Sequence, residues 1–404
     1  MAVRVSKPQF NLRDKLSELD RPVGNHGSQL MKSDDASESF SLIRAGRKNL
    51  IINGDMRINQ RYGTSSSTEK DRVTIDRWRQ SNPGASNMTH QTVTDSPPGF
   101  EYSEKMTNGG SAYATGNGNT MFFQQIIEAN SVGHLQLGTN RAKNYTVSFW
   151  VKASIPGKYS IASGNTTSGG WTGGNTSRSY ISSYYVNSSG VWEYKTVTFI
   201  GDNNGTWQRS NNNGGLSIIF DLGSGSSHEN VPEQWDSNAD FRVPNSVRLG
   251  PVASSYWMIT GVQLEEGNVA TPFEHRSIGE EIELCRRYYS VFHPTGQEQV
   301  YIESGSTSTH SFVNFPIPYG MRTEPSVTLG GTWTGGGLVG GRTITGASVQ
   351  SVDNGGLNGT THVGSMGRVS CRITRSGSAY TSGQIAHTDA WDDGVAWLAY
   401  DAEL

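Results

Sequence analysis

Cysteine occurs only twice in these 404 residues, at Cys285 and Cys371, which excludes a disulfide framework and predicts two buried thiols. Charge is sparse too: 17% of residues are Asp, Glu, Lys or Arg, against about 25% in an average soluble domain. The formal net charge is −3 and no long basic run occurs, so nothing electrostatic supports a nucleic-acid partner. No stretch approaches the ~18 apolar residues of a membrane span, and Met1 to Phe10 lacks the apolar centre of a signal peptide. The expectation is a chain without membrane insertion, made and kept in the cytosol until something such as lysis releases it.

Motifs that carry chemistry are missing as well. There is no HExxH, no GxSxG and no Cys/His ligand cluster, and the nine histidines scatter from His26 to His387. Gly335, Gly337 and Gly340 match GxGxxG in form, but Thr332-Trp333-Thr334 precedes them and no helix pattern follows, against a dinucleotide fingerprint. Glu280, Glu281 and Glu283 sit in the first turn of a predicted helix, where its dipole favours them, rather than as a facing carboxylate pair. A hard cation wants six to eight oxygens, and no compact run supplies them. The sequence therefore predicts no enzyme, no catalytic residues, no cofactor and no metal.

What is abundant is glycine, at 49 residues, amid many Ser, Thr and Asn, with 10 Trp and 16 Tyr among them. Disordered segments are poor in aromatics, so these loops read as ordered surfaces. Tyr145, Val147, Phe149 and Val151 alternate with Thr146, Ser148, Trp150 and Lys152, the period-2 pattern of a strand with one face in a core. Leu216, Ile218, Phe220 and Leu222 repeat it, Val197 and Phe199 close a third strand, and Tyr256 to Leu264 form a last one. Several strands, polar loops and no long helix predict an antiparallel all-β fold, a jelly-roll β-sandwich over residues 49–276.

The ends differ from this middle. Over residues 1–48, Asn11 caps a short helix with Leu12, Leu16 and Leu19 on one stripe beside Phe10, and Phe40 and Ile43 share the face of a second. Helices this short need a partner, so the arm reads as a helical adaptor that anchors the chain to another protein or bundles with its copies; packing back on its own β-domain is the alternative. At 277–290 a linking helix is predicted: Ser277 and Glu280 make a capping box, and Ile278, Ile282, Cys285 and Tyr289 share a face. Residues 291–404 follow as a smaller C-terminal β-domain, in which Phe312, Val313 and Phe315 lead into Pro316, Pro318 and Pro325, with short strands around Val327 to Leu329, Thr343 to Thr345, Ser348 to Val352 and Val369 to Ile373 and with Trp397 to Tyr400 closing the chain.

Two loops suggest binding. Gly164 to Tyr180 and Gly201 to Gly215 each hold a tryptophan, Trp171 and Trp207, among small polar residues, with Asn175, Arg178, Gln208 and Arg209 nearby. Sugars offer an apolar C–H face and a rim of hydroxyls, which an aromatic platform beside amide and hydroxyl partners matches. A lone Trp can equally plug its loop onto the sandwich. Trp391 and Trp333, in the last domain, are open to the same two readings. Arg57, Arg61, Asp71, Asp76 and Arg77 are expected as surface salt bridges.

Four segments carry a resemblance: NLIINGDMRINQRYG from Asn49, YTVSFWVKAS from Tyr145, GVQLEEGNVATPFEHRSIGEEIELCRRYY from Gly261, and the terminal WLAYDAEL from Trp397. Together they resemble phage tail-fibre and related virion appendage proteins, above all those of phages infecting cyanobacteria. The resemblance implies a homotrimeric virion part, assembled in the host cytoplasm, whose first word opens the β-module as a strand. Its β-domains would be similar to carbohydrate-binding jelly rolls. The implied partners are a tail adaptor or nozzle protein for residues 1–48 and host cell-surface polysaccharide for the β-domains. A purely structural tail or head appendage and a polysaccharide-cleaving tailspike are the alternatives. Asp55 and Glu265 are where the resemblance would place a structural calcium.

Overall fold

The computed structural model describes the chain from Lys48 to Glu403, apart from residues 83–86, 167–177, 293–298, 308–309, 317, 319, 324, 331–333, 338–341, 344–346, 354–367, 375–385 and 390–396. The chain divides into two units, Met1–Lys48 and Asn49–Leu404, and the strands among the described residues belong to the second. Phe10, Leu12, Leu16, Leu19, Phe40 and Ile43 of the expected anchoring arm lie outside the described residues.

The first twelve strands are β1 (Val73–Ile75), β2 (Trp78–Ser81), β3 (Thr89–Val93), β4 (Ser103–Thr107), β5 (Phe122–Glu128), β6 (Tyr145–Ala153), β7 (Gly157–Asn165), β8 (Ser179–Val186), β9 (Glu193–Phe199), β10 (Gly214–Asp221), β11 (Trp235–Asp236) and β12 (Tyr256–Glu266). They form two antiparallel sheets, β1-β2-β5-β10-β7-β8-β11 and β3-β4-β12-β6-β9, packed as the expected jelly-roll β-sandwich. Period-2 alternation decides the inner faces: Tyr145, Val147, Phe149 and Val151 of β6, and Leu216, Ile218 and Phe220 of β10, are fully buried. Aromatic rings bridge the sheets. Phe149 meets Phe220 and Tyr184 edge-on, both at 5.0 Å, and Trp257 of β12 lies 5.6 Å from Phe220 while its Nε1 donates to the Tyr184 hydroxyl at 3.0 Å. Buried aromatics of this size dominate core energetics, and the indole N–H finds its acceptor.

The opening word is not a strand. Asn49 to Gly63 winds irregularly along β12, because Asn53 and Met56 take left-handed backbone angles (φ 56° and 58°). β12 is itself bulged there: its pairing with β6 shifts between Thr260 and Gln263, and Gly261 (φ +63°) leaves the room that the Phe100 ring fills. Gly54 accepts from Val262 N–H at 2.9 Å, and a Cβ on Gly54 would sit 2.1 Å from the Val262 carbonyl oxygen. Asn49 completes the seam, donating to the Val262 carbonyl at 3.2 Å and accepting from Leu264 N–H at 3.1 Å.

The linking helix α1 (Ile278–Arg286) starts as predicted, with the Ser277 hydroxyl accepting from Glu280 N–H at 3.3 Å. Its buried face is only partly the expected one. Cys285 and Tyr289 are buried as predicted, with Glu281 and Tyr288 beside them, whereas Ile278 is 49% exposed and Ile282 half-buried. A carboxylate displaces the expected isoleucines because Glu281 has work inside: it accepts from Asn53 N–H at 2.5 Å and pairs with Arg276 at 3.3 Å, satisfying a backbone donor of the opening segment. Burial pushes the Cys285 thiol well above its ordinary value.

After α1 come β13 (Tyr289–Phe292), β14 (Gln299–Thr307), β15 (His310–Pro316), β16 (Ser326–Gly330), β17 (Thr334–Gly337), β18 (Arg342–Thr343), β19 (Ala347–Asp353), β20 (Arg368–Thr374), β21 (Ala386–Asp389) and β22 (Trp397–Asp401). They build a three-stranded sheet, β13-β22-β16, and a seven-stranded one, β18-β17-β21-β14-β15-β20-β19. The terminal strand is thus paired on both sides, and the residues after it return to the sandwich. Arg61 meets Asp76 at 3.1 Å and Asp401 at 3.2 Å, Arg77 pairs with Glu403 and stacks 3.4 Å above the Tyr288 ring, and Arg287 grips Glu128 at 2.8 and 2.9 Å. The salt bridges expected on the surface around Asp76 and Arg77 are therefore buried: Asp76 takes the nearby Arg61, and the partner of Arg77, Glu403, arrives from the far end of the chain.

Candidate functional site

β6 and β9 are neighbours at the edge of the five-stranded sheet, and their register sets Trp150 directly opposite Tyr194. With Val147, Phe149 and Val151 turned into the core, Trp150 and Lys152 take the outer face. Tyr194 is 44% exposed there, and its ring centroid lies 5.4 Å from that of Trp150 at a tilt of 53°. The two rings form an open aromatic ledge.

The turn before β9 adds Trp192, whose Nε1 donates to Asp95 Oδ1 at 3.0 Å. Lys152 Nζ donates to the other oxygen, Asp95 Oδ2, at 2.6 Å and lies 5.9 Å from the Trp192 ring. Asp95 is placed by its own loop: the Ser103 hydroxyl donates to its carbonyl at 2.6 Å, and the Ser96 hydroxyl closes the turn on the Phe100 carbonyl at 2.7 Å. Partial burial opposes ionisation of Asp95, but the hydrogen bonds from Lys152 and Trp192 outweigh it and hold the carboxyl below its ordinary range. Aromatic faces beside a fixed carboxylate, an ammonium and the exposed Thr196 hydroxyl can stack a ring bearing C–H bonds and accept from or donate to its hydroxyls.

The tryptophans singled out in the sequence fare differently. Trp207 is only 7% exposed; its Nε1 donates to Asp202 Oδ2 at 3.1 Å, and its ring stands edge-on to Trp235 at 5.5 Å. Arg178 clamps the same Asp202 with two hydrogen bonds, 2.7 and 2.8 Å. Trp207 is consequently the plug of its loop rather than an open platform, because the buried Asp202 gives its N–H an acceptor inside. Trp171, Trp391, Trp333 and Asn175 lie outside the described residues. Asp55 lies beside Arg57 at 2.5 Å, and Glu265 accepts from Thr271 N–H and hydroxyl, both at 2.7 Å, so each carboxylate has a protein partner. Sequence reasoning missed the ledge. Its signal was present, an aromatic on the polar face of a strand pattern at Trp150, but only the β6–β9 register brings Tyr194 beside it.

No protein-family model matches the sequence, nor does any curated protein. Solved structures do. The enzymatically active domain of tailspike protein 4 from bacteriophage CBA120 is 12% identical, with a TM-score of 0.27 over 54% of this chain and 21% of that one. This chain thus spans about a fifth of that domain's length. The family 11 carbohydrate-binding module of a Clostridium thermocellum cellulosomal cellulase is 11% identical, TM-score 0.25, over 53% of this chain and 99% of the module. TmCBM61, solved with β-1,4-galactotriose, is 15% identical, TM-score 0.26, over 55% and 100%.

Proposed function

We propose that this protein is a non-enzymatic appendage of a phage virion that holds saccharide chains of the host surface on the ledge of Trp150, Tyr194 and Trp192. The observation that carries the reading is the pair of outward aromatic rings, Trp150 and Tyr194, on strands whose flanking residues Lys152 and Trp192 fix the Asp95 carboxylate. An open face suits the side of a polymer, since it leaves both ends of a chain unobstructed. The words shared with tail-fibre proteins support the virion setting, a homotrimer, and attachment to a tail adaptor or nozzle protein through residues 1–48.

Glycosidic cleavage uses two carboxyl groups facing each other across an open cleft. Among the described residues four buried carboxylates are engaged by arginines: Asp76 by Arg61, Asp221 by Arg242 at 2.6 Å, Glu281 by Arg276, and Glu403 by Arg77. That supports binding without turnover over the tailspike alternative.

The test is binding of fluorescently labelled full-length protein to candidate cyanobacterial hosts, with and without stripping of their surface polysaccharide. Saturable binding that vanishes on stripping, and that falls about tenfold in affinity in the Trp150→Ala, Tyr194→Ala double variant, is the expected result. Binding that the double variant leaves unchanged refutes the ledge, and no binding to any susceptible host returns the protein to a purely structural role.

A further inference from the structure

A cleft of about 580 Å³ opens elsewhere, between the segment leading into β1 and the outer side of the sheet β13-β22-β16. Its size is on the scale of pockets that enclose a small molecule, about 300–1,000 Å³. Val73, Val291 and Ala399 give it an apolar floor, and Tyr62 and Tyr289 give it aromatic walls.

One wall is fixed in advance. The Arg61 guanidinium carbon sits 3.6 Å from the centre of the Tyr289 ring and is pinned by Asp76 and Asp401. Gln60 Nε2 donates at 2.8 Å to both Asp76 Oδ2 and the Tyr289 carbonyl. A wall held by this many partners loses little freedom when a ligand arrives, which favours binding.

The rim is the opposite case. Arg72 lines the cleft with its side chain 73% exposed, and its carboxylate neighbour Glu69, itself 47% exposed, is 3.7 Å away. Ion pairs that exposed are weak and exchangeable. Asp401, the carboxylate in the lining, is already answered by Arg61. Arg61 is held by Asp76, Asp401 and, at 3.6 Å, Glu403, whereas Arg72 meets the exposed Glu69, so Arg72 is the cation a ligand carboxylate can take over, its planar fork matching a carboxylate with two parallel hydrogen bonds. Thr328 adds an exposed hydroxyl.

We infer that this cleft binds the acidic terminal residue of a saccharide, a uronic acid, with its carboxylate on Arg72 and its ring against Tyr62. The site is separate from the aromatic ledge. It takes a chain end where the ledge takes a chain side.

Calorimetric titration of the full-length protein with glucuronate, and with glucose as the neutral arm, tests this. Glucuronate is expected to bind about tenfold more tightly than glucose, the worth of one charge-assisted contact, and added salt is expected to narrow the gap. Arg72→Ala removes the preference, Arg72→Lys restores part of it, and neither moves the thermal midpoint because the side chain is exposed. Thr328→Trp, which fills the cleft, abolishes both titrations. Equal binding of the two sugars, a preference that survives Arg72→Ala, or no glucuronate binding overturns the inference. The ledge double variant separates the two sites: unchanged glucuronate binding there upholds the cleft whatever becomes of the ledge, and its loss there refutes the cleft.

Discussion

Asn53 is the residue on which the opening segment turns, and replacing it tests whether that segment is held as described. Its side chain is fully buried. Nδ2 donates to the Ile58 carbonyl at 2.8 Å and the Asp76 carbonyl at 3.0 Å, and Oδ1 accepts from Ile58 N–H at 3.0 Å. Its backbone carbonyl accepts from Trp78 Nε1 at 3.0 Å. Asn53→Ala removes three hydrogen bonds and leaves three buried backbone groups without partners, at about 1 kcal/mol each or somewhat more. Alanine must also hold the left-handed angle, φ 56°, which adds about 1–2 kcal/mol. The sum, about 4–5 kcal/mol, is a large part of the ~5–15 kcal/mol that keeps an ordinary domain folded. Asn53→Gly loses the same hydrogen bonds without the backbone term and is expected to be about 1 kcal/mol less harmful. Urea unfolding followed by tryptophan fluorescence reads both variants as shifts in midpoint at unchanged slope. A midpoint for Asn53→Ala within experimental scatter of the parent, or one above that of Asn53→Gly, refutes the reasoning.

Two further outcomes follow from the buried groups. Burial outweighs Arg61 and pushes the Asp76 carboxyl up to about 7, and burial likewise raises Glu104, Asp221 and Glu281. The native state then holds protons that the unfolded chain, with Asp near 3.8, releases, so this stability is fully present below the unfolded value and is lost as pH rises through about 7. The thermal midpoint should therefore climb between pH 8 and pH 5, and Asp76→Asn should flatten that slope; a midpoint that falls over the same range contradicts the assignment. Trp207→Ala should cost about 3–5 kcal/mol by calorimetric unfolding, as an emptied core site does, while leaving glycan binding intact; lost binding with full stability would restore Trp207 as a platform.

Much of the sandwich was legible because period-2 alternation is a local property. The inner faces of β6, β9, β10 and β12 follow from residues two apart, and the Ser277–Glu280 box marks the start of α1 from residues three apart. Legibility failed where a distant partner decides. The apolar stripe of Ile278 and Ile282 made a reasonable buried face until Glu281 was needed beneath Asn53, which is 228 residues away. Arg77 reads as a surface charge because Glu403, 326 residues away, carries no local mark of its destination. Asn49 to Gly63 reads as a strand by the resemblance to virion proteins, yet it lies along the bulge at Gly261 with left-handed angles at Asn53 and Met56 that no strand supplies.

The candidate sites divide along the same line. The sequence by itself determined that aromatics and small polar residues would share the surface of a β-sandwich, since too few charges were available to cover it. Only the tertiary structure decided which aromatics: Trp207 found Asp202 as an internal acceptor and went inside, while the register of β6 against β9 left Trp150 and Tyr194 facing solvent. The cleft belongs wholly to the tertiary structure, because its walls, Tyr62, Arg72, Tyr289 and Asp401, come from opposite ends of the chain and meet only when β22 returns to the sandwich.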